Sequence, residues 1–444
     1  MNRKTFVSHL KNLSTGVVAG GSGLHLLRYP TEELTANSRR DPAGRSLPVS
    51  VLTRIRSDYE EELFDRFLPA MDKYVVDHEL GGFMCDADIR TGERISGQKR
   101  AWYEGRGMWL YSTLYHRFRQ DPKYLNIAKT SKEFILPHRP GKGRFWPSRY
   151  DRYGNVLDEE GDIFTNLYIA EGLSAYAVAS GDEESLQQAI DITWDAFRTY
   201  DHSEYRYGSP AARGLEGPRV LNHWMVFLFT AVQILEQVNS PEMRHITDRS
   251  VEAVLSYHMN PDYQLLNDTL THDLVLPDDK ERHIASTGLG IQTLWMTMYE
   301  AVRRQDSNLF QRAADHFKRH VTVAKDPVYG GYFGTLTDVA ANRWSLNKAL
   351  GVQEEVIIGA LLLMEHAGDS WGLDCFLETE AYIKSHFVKN GYKFWISGAD
   401  RFVENYQTGR VEHYHHSRHL MFTLLAMDRM IDRSGDASNL FGSL

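Results

Sequence analysis

From Val51 onward, apolar residues recur at the three-to-four-residue spacing of amphipathic helices, and no convincing set of alternating positions marks core strands. The connections between these helices have a rhythm. Short polar turns stand at Gln120-Asp121-Pro122, Ser180-Gly181-Asp182, Asn239-Ser240-Pro241, Gln305-Asp306-Ser307 and Ala367-Gly368-Asp369-Ser370. Each carries an Asp, Ser or Pro of the kind that opens a helix, and they fall about 60 residues apart, the length of two helices with their connections. Between them lie longer stretches rich in Gly, Asp, Tyr and Arg, at residues 81–98, 139–161, 201–219, 261–282, 325–347 and 391–412. In a closed ring of helical hairpins this alternation puts every long loop on one face, where functional groups usually sit. The pattern predicts an all-α fold, an (α/α)6 barrel of six helical hairpins over residues 51–444.

An internal repeat supports the ring. Gly81-Gly82-Phe83 leads to Lys99, and Gly330-Gly331-Tyr332 leads to Lys348; both glycine pairs and both lysines are 249 residues apart, about four hairpins.

Composition narrows the class. A net charge of −9 with acidic and basic residues interspersed offers no basic stripe for nucleic acid. Cys85 and Cys375 are too few for a disulfide framework. No apolar run reaches the roughly 18 residues of a membrane span. Residues 1–50 differ in kind: Asn2-Arg3-Lys4-Thr5-Phe6-Val7 before the small-residue run from Gly16 to Gly23 resembles a twin-arginine export signal with Lys4 at the second arginine, followed by a linker. This leaves export or a cytoplasmic location as the two expectations.

If the long loops share one face, the opening turns of the helices after them converge on one cavity. Those turns supply Trp102, Glu104 and Arg106, then Asp162 and Asn166, Asn222 and His223, Gln292, Gln353 and Glu355, and finally His413, His415 and Arg418. Aromatic residues accompany them, Tyr168 and Tyr414 included. Rings beside carboxylates, amides and guanidinium groups suit a polyhydroxylated ligand, with faces for stacking and polar atoms for hydroxyls.

The densest chemistry is Glu412-His413-Tyr414-His415-His416-Ser417-Arg418-His419, four histidines in eight residues. His415 and His419 have the four-residue spacing of two zinc ligands, but His416 stands where H-E-x-x-H requires glutamate, so no metal is expected. His415 reads instead as a general acid/base. No motif for a redox cofactor or phosphate cradle is visible, and no cofactor is expected. The expected partner is a small-molecule sugar, with neither nucleic acid nor membrane, and a homodimer allowed.

These residues resemble the N-acylglucosamine 2-epimerase superfamily, which includes cellobiose 2-epimerases and mannose isomerase, over residues 52–432. Lys99-x-x-Trp102-x-Glu104-x-Arg106 is similar to the family's K-x-x-W-x-Q-x-R, with glutamate for glutamine. Gln353-Glu354-Glu355 resembles the end of W-W-x-Q-x-E, Asn222-His223 fits the N-x-H-M region loosely, and Tyr414-His415-His416-Ser417-Arg418 is similar to Y-H-N-S-R. The resemblance implies proton abstraction at C2 of an aldose or N-acylated sugar through an enediolate. On it, His415 falls on a catalytic histidine and Arg106 on an arginine that contacts the sugar. Glu104, Trp102, Asn222, Gln292, Gln353, Glu355, Tyr414 and Arg418 are the further substrate-binding candidates.

The family's second catalytic histidine lies in G-H-x-I-E-x-x-W, where this chain reads Gly288-Leu289-Gly290-Ile291-Gln292-Thr293-Leu294-Trp295. Leu289 replaces the histidine and Gln292 the glutamate. Epimerisation needs a base on each face of C2, whereas isomerisation needs one. Three readings follow: an isomerase or epimerase with His415 as base and His223 or His283 as second acid/base; a glycoside hydrolase or lyase using a carboxylate pair such as Glu104 and Glu355, or Asp162 with either; and a sugar-binding pseudoenzyme.

Overall fold

The computed structural model describes residues 47–441 other than 160, 208–214, 279, 402–408 and 439. The export-signal reading therefore falls on residues outside those described, as do parts of the third and sixth long loops. Twelve helices run through the described residues. Helix α1 (Val49–Glu60) continues through a π-helical stretch, Glu61–Phe67, into Leu68–Tyr74. Then come α2 (Ala101–Arg117), α3 (Pro122–Ile135), α4 (Ile163–Ser180), α5 (Glu183–Asp201), α6 (Leu221–Leu235) and α7 (Pro241–Glu252). The last five are α8 (Thr287–Arg304), α9 (Ser307–Ala324), α10 (Leu350–Ala367), α11 (Ser370–His386) and α12 (His415–Asp432).

Even-numbered helices form the inner ring of an (α/α)6 barrel, packing in the succession α2, α4, α6, α8, α10, α12, and α12 packs on α1. Buried residues show why. Inner helices such as α4 and α10 are buried around nearly their whole circumference, whereas outer helices such as α5 and α9 bury a single stripe. The five short turns start their outer helices as the sequence predicts: the side chains of Asp121, Asp182, Ser240, Asp306 and Asp369 each accept a backbone N–H from the first turn of α3, α5, α7, α9 and α11. No helix among the described residues is long and apolar enough to cross a membrane.

On the opposite face the long loops carry short strands that lace them together in three pairs. Lys99–Arg100 pairs with Arg149–Tyr150, Arg219–Val220 with Thr269–Leu270, and Asn347–Ala349 with Gly398–Asp400. Each first strand runs directly into an inner helix, whose first N–H then donates to a carbonyl in the neighbouring loop: Ala101 to Ser148, Leu221 to Asp268, Leu350 to Ser397. The loops are thereby held as a rim around the helix starts.

The 249-residue repeat is structural. Lys99 Nζ donates to the Gly81 carbonyl and pairs with Asp77; Lys348 Nζ donates to the Gly330 carbonyl, also at 2.6 Å, and pairs with Asp326. Arg152 and Arg401, again 249 apart, complete the two clasps on Asp77 and Asp326. Gly82 and Gly331 both sit at positive φ (76° and 68°), and a Cβ on Gly82 would lie 2.4 Å from a carboxylate oxygen of Glu104.

Candidate active site

The first turns of the inner helices enclose a cavity of about 590 Å³. Phase along each helix decides which predicted residues reach it. Trp102 and Arg106, four apart on α2, line the wall, as do Asn222 on α6, Leu289 and Gln292 on α8, Glu355 on α10 and His415 on α12. Tyr168 and Phe164 of α4 complete the aromatic side.

His415 is oriented by a buried carboxylate. Its Nδ1 lies 2.7 Å from Glu355 Oε1. Glu355 also accepts from Trp295 Nε1 (2.5 Å) and pairs with the fully buried guanidinium of Arg418. Burial pushes the Glu355 carboxyl upward, but Arg418, His415 and Trp295 outweigh it and hold the group below the usual carboxylate range. An ionised carboxylate can only accept, so Nδ1 carries the proton toward Glu355 and Nε2 is left as the basic nitrogen for the cavity.

Arg106 supplies positive charge. Its guanidinium lies 4.0 Å from the Tyr168 ring centre and 4.6 Å from that of Tyr414, and 3.7 Å from Glu412. Glu412 lines the cavity too and accepts the backbone N–H groups of Tyr414 (3.2 Å) and His415 (2.9 Å), fixing the start of α12.

Other predicted site residues lie outside the wall. Glu104 is two residues from Trp102, about 200° around the helix, and turns outward; it accepts from Phe83 N–H (3.0 Å) and Ser131 Oγ (2.6 Å). Gln353 does the equivalent on α10, bonding both N–H and C=O of Tyr332 at 2.9 Å. Both brace the Gly-Gly turns rather than line the cavity. Tyr414 is buried, donating to Glu171 at 2.5 Å, and Arg418 acts through Glu355.

Neither proposed second histidine faces the cavity. His223 is fully buried, stacked on Phe164 at 4.6 Å and 3.3 Å from the Tyr205 hydroxyl; burial holds its pKa down to about 3. His283 ends a 3-10 turn, Lys280–His283, whose carbonyl accepts from Val339, and it is not part of the wall. The carboxylate pair of the hydrolase reading is likewise not presented, because Glu104 faces away and Asp162 caps α4 through Thr165. In the histidine cluster, His413 stacks on Phe83 and donates to Tyr103 C=O, while His416 and His419 share Glu354. Helix starts read without their phase overlook Glu412, Glu62 and Trp395, which also reach the cavity; Glu412 was detectable as an acidic residue just ahead of a helix, whereas Glu62 lies in the π-helical stretch that no periodicity predicts.

The model of the family "N-acylglucosamine 2-epimerase (GlcNAc 2-epimerase)" matches residues 64–418. The chain belongs to this family. It is 23% identical to N-acylglucosamine 2-epimerase of Rattus norvegicus over 337 residues, covering 72% of this chain and 78% of that one. Against cellobiose 2-epimerase of Bacteroides fragilis it is 24% identical over 372 residues, covering 78% and 92%. Among solved structures, cellobiose 2-epimerase from Bacillus thermoamylovorans B4167 superimposes with a TM-score of 0.73 at 14% identity, covering 85% of this chain and all of that one. A D-mannose isomerase superimposes at 0.71 and 14% identity, covering 88% of this chain and 100% of the other. Family membership makes the chain a sugar epimerase or isomerase, and the hydrolase reading is not favoured.

Proposed function

We propose that this enzyme is a single-base aldose–ketose isomerase acting on an open-chain aldose or N-acylated aldose. The observation that carries the reading is the pairing of an oriented His415 with Leu289 in the same wall: one imidazole is set up as a base, and the place of a second holds an alkyl group. His415 Nε2 takes the C2 proton, and the resulting imidazolium is stabilised by Glu355 across the 2.7 Å contact. Arg106 faces the charge that develops on the enediolate oxygens. His415 returns the proton to C1 on the same face, while Glu412 passes the hydroxyl proton from O2 to O1. One C–H bond breaks and one forms, and no second base is needed. The aromatic wall of Trp102 and Tyr168 offers stacking surface to the sugar chain.

Incubation with mannose, glucose, N-acetylglucosamine, N-acetylmannosamine and cellobiose in D2O, followed by NMR, tests this. Exchange or conversion at C2 is expected with at least one aldose, and His415→Ala should lower it about 10²- to 10⁴-fold. Activity that survives in His415→Ala, or neither exchange nor conversion with any aldose, would refute the assignment.

A further inference from the structure

One part of the cavity wall is not used by the reaction at C1 and C2. It is formed by Phe67, Trp395, Glu62 and His416. His416 Nδ1 is held by Glu354 Oε1 at 2.8 Å, so the ring presents Nε2 in the other direction. That nitrogen is buried and has no hydrogen-bond partner; the nearest carboxylate oxygen is Glu62 Oε1, 3.9 Å away. The separation is too long for a hydrogen bond and leaves a donor and an acceptor side by side.

We propose that Glu62 and His416 form a clamp for one sugar hydroxyl remote from the reacting carbons, the hydroxyl accepting from His416 Nε2–H and donating to Glu62. The inference rests on the sugar-isomerase reading. Burial opposes the charged form of His416, but Glu354 and Glu62 outweigh it and raise the pKa to about 9, so both ring nitrogens carry protons. Phe67 and Trp395 flank the ring at 5.0 and 4.4 Å, a setting that suits sugar C–H faces. Glu62 is carried by the π-helical stretch of α1, a backbone variant common at functional sites. The motif that this segment resembles has asparagine at position 416, so the clamp belongs to this chain rather than to the motif. A metal held by Glu354, His416 and His419 fits less well, because the two ring nitrogens beside Glu354 already donate, His416 Nδ1 to Glu354 and His419 Nδ1 to the His416 carbonyl, each at 2.8 Å.

The test uses the full chain, its His416→Asn and Glu62→Gln variants, and mannose with its 3-, 4- and 6-deoxy derivatives. Binding is read by tryptophan fluorescence, since Trp395 adjoins His416, and turnover by C2 exchange. For mannose, each variant should raise Kd and KM about ten- to hundred-fold with kcat within about threefold. One deoxy sugar should bind the unmodified protein weakly and lose nothing further in either variant. Glu62→Gln preserves shape and keeps Glu354 paired, so it carries the test if His416→Asn unfolds. Unchanged affinities, or the same loss with every sugar, would overturn the clamp; so would stoichiometric zinc that His416→Asn removes. Loss of exchange with the binding pattern intact would contradict the isomerase reading alone.

Discussion

At the scale of single residues, the site depends on carboxylates whose surroundings set them apart. Glu355 is kept ionised by Arg418 and Trp295 and spends that charge on His415. Replacing it with glutamine removes the buried ion pair of Arg418, so Glu355→Gln should cost about 3–5 kcal/mol of stability in denaturant melts and lower C2 exchange about 10²-fold. Glu104 is the opposite case: burial dominates, and Ser131 and Phe83 only partly offset it, leaving a pKa of about 7 against an ordinary 4.5. Its folded form therefore holds a proton that the unfolded chain has released, and stability falls as pH rises from 4.5 to 7. Gln353 does the same bracing without a charge, so Glu104→Gln should match the parent protein below pH 4.5 and exceed it above pH 7, by on the order of 3 kcal/mol in urea melts. Equal stability at both ends would mean that Glu104 is not desolvated.

At the scale of helices, much was legible because the signals are local. An Asp or Ser side chain satisfies the first-turn amides whatever packs above it, so all five short-turn caps could be read directly. The Gly-Gly turns were legible because positive φ at both residues leaves few alternatives. What pooled Glu104 and Gln353 with the cavity residues is the loss of phase when a whole helix start is treated as one group: two residues of α-helix reverse direction, whereas Trp102 and Arg106 stay on one face. The burial of His223 was not legible, since its aromatic partners come from other helices and loops. Close helix approach was hidden as well. A Cβ on Gly105 of α2 would lie 2.2 Å from the Tyr168 carbonyl of α4, backbone that cannot turn aside. Gly105→Ala should therefore destabilise by about 1–3 kcal/mol and, by spreading α2 from α4, impair Arg106; a lowered Tm together with reduced exchange checks it.

For the molecule as a whole, the barrel brings six helix starts together around one cavity, and within that wall the imidazole that Glu355 orients is His415. The fold and family were legible from the connection rhythm and short motifs; the substrate was not, because the wall is built from loops and from helix faces far apart in sequence. Under the single-base proposal, Leu289 in the wall leaves one face of the sugar without a base, and this is what would separate isomerisation from epimerisation. The most direct test follows the label from [2-²H]mannose, or from whichever aldose the exchange panel identifies, during a single turnover. Deuterium found at C1 of the ketose product, with no C2 epimer at comparable rate and loss of both on His415→Ala, is the predicted result. Formation of the C2 epimer as fast as the ketose, with deuterium washed out to solvent, would contradict single-base catalysis by His415.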